Sequence, residues 1–204
     1  MKRKTLDVSE LPTMAFGHRD PLWWGVMLSI AIEGSMLVLM TISYFYVQDR
    51  VDPWPPDLPA RSLAIVGTIE MALWLVSCWP MHVASKSAIK GDLRGMRIGM
   101  VASTAIGVAG AVLRGFEFAM LPFRWDAGAY ASCVWGLLVI QSTHQITGLF
   151  ENGFFTAILY RGPIEQKHRS DIEVGAPLWY FVAAGTVLTW AVIFLQILVT
   201  RRAT

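Results

Sequence analysis

Apolar residues in this chain gather into long runs separated by short polar stretches, and the runs have the length that a bilayer demands. A helix rises ~1.5 Å per residue, so about 20 mostly apolar residues cross the roughly 30 Å of hydrocarbon. Five segments qualify, at about 22–47, 62–84, 96–121, 129–160 and 177–199. The fourth is longer than required and is expected to tilt or to project from the bilayer. Trp23, Trp24, Trp54, Trp79, Trp125 and Trp179 fall near the run ends, where an interfacial aromatic belt sits. The pattern predicts an all-α membrane protein: a tail over 1–21, then one bundle of five transmembrane helices over 22–204. No internal repeat is visible, the longest loop (161–176) is too short for a further domain, and Asp52-Pro53-Trp54-Pro55-Pro56 makes a stiff loop.

Composition agrees with this reading and excludes others. Of 204 residues, 54% are hydrophobic and 16% charged, against about 25% charged in a soluble domain. Mean hydropathy is +0.48. A soluble enzyme, a nucleic-acid binder and a disordered chain are all inconsistent with these values. A net charge of +2 is too small to imply a polyanionic partner. Cys78 and Cys133 stand alone in apolar stretches, which suggests neither a disulfide framework nor a zinc module. The basic start Met1-Lys2-Arg3-Lys4 is followed by Asp7, Glu10 and Pro12 with no small-residue cleavage site, so it reads as a retained tail.

Charge also gives the direction of insertion. Lys2, Arg3, Lys4 and Arg19 precede the first span. The second and fourth loops carry Lys86, Lys90, Arg94, Arg161, Lys167 and Arg169, with Arg97 just inside the third span. The opposite side has Arg50, Arg61, Arg124, Arg201 and Arg202. The heavier set shares a side with the amino end, so the expected topology is N-terminus cytoplasmic and C-terminus outside.

In the third span, Gly95, Gly99, Ser103, Gly107, Ala111 and Gly115 recur every fourth residue. Small side chains let another helix approach closely where no hydrophobic effect drives association. A four-residue step advances ~40° per repeat, so this ridge winds around the helix and suits a crossed neighbour.

Ionisable groups inside a span cost roughly 2.5 kcal/mol or more each, so every one needs a reason. Here they are Glu33, Glu70, Arg114, Glu117, His144 and Glu151. Glu33 and His144 fall near mid-membrane, whereas Glu70, Arg114 and Glu117 fall toward the far leaflet. Arg114 and Glu117 are three apart on one helix face, and Glu70 matches their depth, so an arginine between two carboxylates is expected. Two readings of the set stay open. One is a proton or ion path through carboxylates and histidine; the other is paired or hydrogen-bonded groups that fix helix packing. His18, His82, His144 and His168 are scattered, and no phosphate-cradling loop, nucleophile elbow or metal-binding histidine pair is present. No catalytic residue and no metal ligand is therefore assigned.

With these features placed, the chain resembles subunit III of haem–copper (cytochrome c) oxidases, in the short five-helix form. Trp24-Gly25 through Ser29-Ile30-Ala31-Ile32-Glu33, followed by Tyr44-Phe45-Tyr46, is similar to the family's helix with a membrane-embedded glutamate. Leu113-Arg114-Gly115-Phe116-Glu117-Phe118 is similar to its glutamate–aromatic helix end. Asp126-Ala127-Gly128-Ala129-Tyr130-Ala131-Ser132 and His144-x-x-x-Gly148 resemble the entry and interior of its next helix. Three departures stand out: Gln141 replaces a usual histidine, Tyr180 and Ala183 lie in a stretch that departs from the usual last-helix start, and Glu70 is uncommon. They point toward a divergent branch such as the proteins associated with nitric oxide reductases.

The resemblance implies a non-catalytic accessory subunit in aerobic respiration, with no catalytic centre of its own, part of an oxidoreductase complex. It implies a position beside catalytic subunit I and other oxidase subunits, support of that enzyme's stability and proton uptake, and residence in a bacterial inner membrane. Haem and copper would belong to the partner, and phospholipid would bind this chain. It also implies lipid-cleft or packing roles for Glu33, Glu117, Tyr130, Ser132, His144 and Gly148. The alternatives are an accessory protein of nitric oxide reductase and, in another class, a small proton- or ion-coupled transporter using Glu33, Glu70 and His144.

Overall fold

The structure, a computed structural model, describes residues 17–55, 61–161 and 166–195. After a single 3-10 turn at Gly17–Arg19, the chain forms α1 (Pro21–Gln48), α2 (Arg61–Lys90), α3 (Leu93–Met120), α4 (Ala129–Arg161) and α5 (Gln166–Trp190). A π turn, Ala191–Leu195, extends α5. Residues 1–16 of the expected tail and 196–199 of the fifth expected span lie outside the described residues. The first four helices begin and end within a few residues of the expected spans, apart from α2, which continues through Pro80 to Lys90.

The fifth differs in a more instructive way. Residues 166–176, read from sequence as loop, are already helical. That segment is polar enough to look like loop, yet Ile172, Val174 and Ala176 are buried in the bundle. Its polar residues are used as well: Arg169 donates from Nε and Nη2 to the carbonyl oxygens of Ala88 and Ile89, at 2.9 and 3.0 Å. Those are end carbonyls of α2, so a cation covers the negative end of a helix dipole.

Among the described residues, four helical segments are long and apolar enough to cross a membrane: α1, α2, α3 and His168–Leu195 of α5 with its π turn. The chain is accordingly a multi-pass membrane protein. α4 is longer than any of these, but Gln141, His144, Gln145 and Asn152 interrupt it and leave no comparably apolar stretch. All four of those side chains are buried against other helices.

The α2–α3 turn shows how tightly the ends are made. Gly91 takes φ +76°, the left-handed conformation that a side chain disfavours, and Asp92 N–H and Gly91 N–H close back on Ser87 and Ala88 carbonyls. The Asp92 side chain then accepts from Arg94 N–H at 3.1 Å and starts α3. At the start of α1, Asp20 does the same for Leu22 N–H at 2.9 Å, with Pro21 in the first helical position.

Helices α2, α3, α4 and α5 pack in a ring, each against the next, and α1 lies outside it on α4 and α5. Only Leu37 and Tyr44 of α1 are fully buried. The small-residue ridge of α3 divides as it winds. A β-carbon on Gly99 would sit 2.5 Å from the Pro80 carbonyl and 2.7 Å from Ala84 N, so α2 touches backbone to backbone there. Two turns on, a β-carbon on Gly107 would meet Trp179 of α5 and Leu149 of α4 at 2.7 and 2.8 Å. At Gly115 nothing lies within 4 Å, since the ridge has turned out of the bundle.

Gly99→Ala is therefore expected to lower thermal stability in detergent by about 1–3 kcal/mol, the range for overpacking a filled interior. Gly115→Ala should leave the unfolding temperature unchanged or slightly raised. Equal effects at the two positions would contradict this division of the ridge.

Candidate functional site

Three residues apart on α3, Arg114 and Glu117 share a face, and that face meets α2 at Glu70. Arg114 Nη2 donates to Glu70 Oε2 at 3.1 Å, while Nη1 is paired with Glu117 Oε2. All three side chains are almost wholly buried, at 4%, 1% and 0% exposure for Arg114, Glu70 and Glu117. Salt bridges lose their value at a wet surface; here burial takes them out of the screening solvent.

The cluster continues into the other two helices of the ring. Gln145 Nε2 of α4 donates to the second Glu70 oxygen at 2.6 Å and reaches Thr186 of α5 at 3.2 Å. One turn earlier, Gln141 Nε2 donates to the Val182 carbonyl and to Thr186 Oγ1, both at 2.9 Å. One connected set of polar groups thus ties α2, α3, α4 and α5 together. Gln141, a departure from the resembled family, takes part in it through Nε2. Two smaller links repeat the theme: Asn152 Nδ2 donates to Ser103 and Thr104 of α3 at 3.0 Å, and Trp179 Nε1 to Ser77 of α2 at 2.9 Å.

Glu33 belongs to a separate site. Its Oε2 lies 2.9 Å from Nε2 of His144, which joins α1 to α4. The two ends of this contact differ, since the Glu33 side chain is 46% exposed and that of His144 only 7%. The pair lines a cleft of about 270 Å³ between α1, α4 and α5, with Ser29, Thr143, Glu151 and Phe181. The Phe181 ring stands 5.3 Å from the imidazole.

The remaining matched positions are spread along the bundle. Tyr130 is buried among Tyr44, Trp54 and Phe123 at the end of the ring where α4 begins, its ring edge-on to Trp54 at 4.9 Å. Ser132 is exposed and donates to the Trp125 carbonyl at 2.8 Å, which fixes the entry to α4. A β-carbon at Gly148 would stand 3.5 Å from Val182, an ordinary contact, so that glycine is not demanded by packing alone. Tyr180 packs against the core around Trp74 and Trp179 and its hydroxyl lies 3.5 Å from His82 Nδ1, and Ala183 is buried.

Sequence reading anticipates the arginine between Glu70 and Glu117 as a geometry but pairs Glu33 with nothing. It also passes over Gln145, Asn152 and Thr186, and treats Gln141 only as a departure. A signal for three of them is present: polar residues at 141, 145 and 152 follow helical spacing along one face of the fourth span. Among the described residues, no three His, Cys, Asp or Glu side chains converge as a metal-ligand set.

No family model matches the chain. It is similar to cytochrome c oxidase subunit 3 of Synechocystis sp. (strain ATCC 27184 / PCC 6803 / Kazusa), at 22% identity over 186 residues, 89% of this chain and 76% of the relative. The protein of the same name from Thermostichus vulcanus is 20% identical over 192 residues, covering 92% of each chain. A fungal one, from Trichophyton rubrum, is 20% identical over 203 residues, 94% of this chain and 73% of the relative. These similarities, running along most of the chain, support the subunit III-like family.

Removing the one cation from the central cluster should be severe. Arg114→Leu leaves two buried carboxylates without their partner, a change that costs about 3–5 kcal/mol when a buried pair is broken. Thermal unfolding of the purified variant in lipid nanodiscs reads the loss directly. A stability equal to that of the parent would show that the guanidinium is dispensable.

Proposed function

We propose that this subunit III-like chain is a non-catalytic accessory subunit of a haem–copper terminal oxidase, seated beside the catalytic subunit in a respiratory membrane. The observation that carries the reading is the similarity itself: it extends over 89–94% of the chain, to proteins named cytochrome c oxidase subunit 3 from three organisms. The similarity runs along most of this chain and is not confined to one short stretch.

The architecture is in keeping with a scaffold. Glu70, Arg114 and Glu117 are paired with each other inside the ring, and the amides of Gln141 and Gln145 are tied to neighbouring helices through their Nε2 groups. In the proposal all five helices cross the membrane, with the amino end cytoplasmic, as the distribution of Lys and Arg favours. α4 lacks a stretch as apolar as those of the other four, and its position inside the bundle supports its inclusion, since Gln141, His144, Gln145 and Asn152 are buried against protein. The haem and copper belong to the catalytic subunit. The role of this chain is to stabilise that enzyme and sustain its proton uptake. The cleft beside Glu33 and His144, open toward the bilayer, suits a bound phospholipid chain, whereas Tyr130 and Ser132 serve packing at the start of α4 and Gly148 the α4–α5 contact.

Affinity purification of the tagged chain in mild detergent, followed by an optical spectrum and mass spectrometry, tests the proposal. The expected outcome is co-purification with a haem-bearing large subunit that reduces oxygen. Haem accompanied by nitric oxide reduction would move the chain to that enzyme. A monodisperse, haem-free protein that purifies alone would overturn the accessory role and favour transport.

A further inference from the structure

Two hollows lie on the α4–α5 side of the bundle, and they share Glu151 and Leu178. The larger is the cleft at Glu33 and His144. The smaller, about 10 Å³, lies closer to the end at which α4 stops and α5 begins, and Glu151, Asn152 and Asp171 are its polar lining. Glu151 lines both. A space of this size accommodates about one water molecule, provided that two to four polar groups surround it. Here three do.

The chamber also contains an unsatisfied acceptor. Asn152 is 4% exposed, and although its amide donates to Ser103 and Thr104, its Oδ1 has no hydrogen-bond partner. Inside a membrane, a carbonyl left so costs several kcal/mol, which a single water would remove. On the same helix, His144 keeps Nδ1 buried without a partner. His144, Gly148, Glu151 and Asn152 follow each other at helical spacing, so one face of α4 carries the whole line. Two turns, or about 10 Å, separate Glu151 from His144.

We infer that the Glu151 chamber holds water and that Asp171, Glu151 and the cleft waters form a half-path exchanging protons between the aqueous phase and the Glu33–His144 pair. Each transfer balances. A hydrated proton arriving at Asp171 passes through the chamber water to the Glu151 carboxylate. Glu151 returns to the ionised state by releasing a proton to water in the cleft, where His144 or Glu33 takes it up. The path ends near mid-membrane at Glu33, on the outer helix of the bundle, and not on the opposite surface. It is thus a branch that serves a neighbour in the membrane or stores a proton, and no through-channel. The titratable groups lining it are Glu33 on α1, His144 and Glu151 on α4 and Asp171 on α5; α2 and α3 contribute Met81 and Met100. The inference holds whichever enzyme the chain accompanies.

Met100 supplies the probe for water. It is 1% exposed and lines the chamber, whereas Met36 is 52% exposed on the lipid-facing side of α1. Radiolysis of water makes hydroxyl radicals that travel only a short way before oxidising a thioether. With the full chain in lipid nanodiscs, X-ray footprinting should oxidise Met100 and spare Met36. Gly175→Leu should abolish the Met100 signal, because a β-carbon there already stands 3.5 Å from Glu151 Oε1. Proton exchange is read separately, from the ring nitrogens of His144 by NMR of 15N-histidine protein after transfer to D2O. Glu151→Gln keeps the shape and the water but cannot relay a proton, so exchange at His144 should slow about tenfold or more. Unoxidised Met100 in the parent protein overturns the inference. So does oxidised Met100 with His144 exchange unchanged in Glu151→Gln, since the route would then bypass Glu151.

Discussion

The constraint on which the structure depends is that a polar group in hydrocarbon must find its partner within the protein. Arg114 is the clearest case. A guanidinium placed at that depth is tolerable only where carboxylates meet it, and the carboxylates come from its own helix, at Glu117, and from α2, at Glu70. Glu70 in turn fixes Gln145, and Gln145 shares Thr186 with Gln141. These links run from helix to helix, so the rotation and depth of each helix in the ring follow from those of the next. Apolar contact alone would not give that register, because lipid tails compete equally well for Leu and Val.

Close approach is the second condition, and it is met by small residues. The polar links of about 3 Å need helix axes near each other, and α3 achieves this with Gly99 against the α2 backbone and Gly107 against Trp179. The two devices act at different heights of the same helix. Glycines serve the half near the α2–α3 turn, and the charged cluster serves the other. α1 has neither and lies outside the ring, held to it by Tyr44, by Leu37 and by the Glu33–His144 contact.

Much of this is legible in the sequence, and the parts that are not have physical reasons. Run length gives the helices, because the requirement to cross hydrocarbon is set by rise per residue and little else. The four-residue ridge and the Arg114–Glu117 spacing are readable for a similar reason: both are properties of a single helix. What escapes is whatever depends on two helices at once. Glu33 looks unpartnered because its partner, His144, lies 111 positions away. Residues 166–176 look like loop because their polarity is spent on other helices, as with Arg169 at the end of α2. Gln141 reads as a lost histidine, when it is a replacement that makes two hydrogen bonds of its own.

If the cross-helix charge cluster sets the packing, its polarity should be exchangeable while its presence is not. The decisive measurement is thermal unfolding in lipid nanodiscs of Glu70→Arg, of Arg114→Glu and of the two combined. Each single variant breaks the alternation of charge, leaving either two buried cations or three carboxylates together. The double variant restores a cation between two carboxylates, with the cation now on α2 and both carboxylates on α3. The account predicts two strongly destabilised single variants and recovery of most of the loss in the double. Single variants as stable as the parent, or a double variant no better than the worse single, would contradict it.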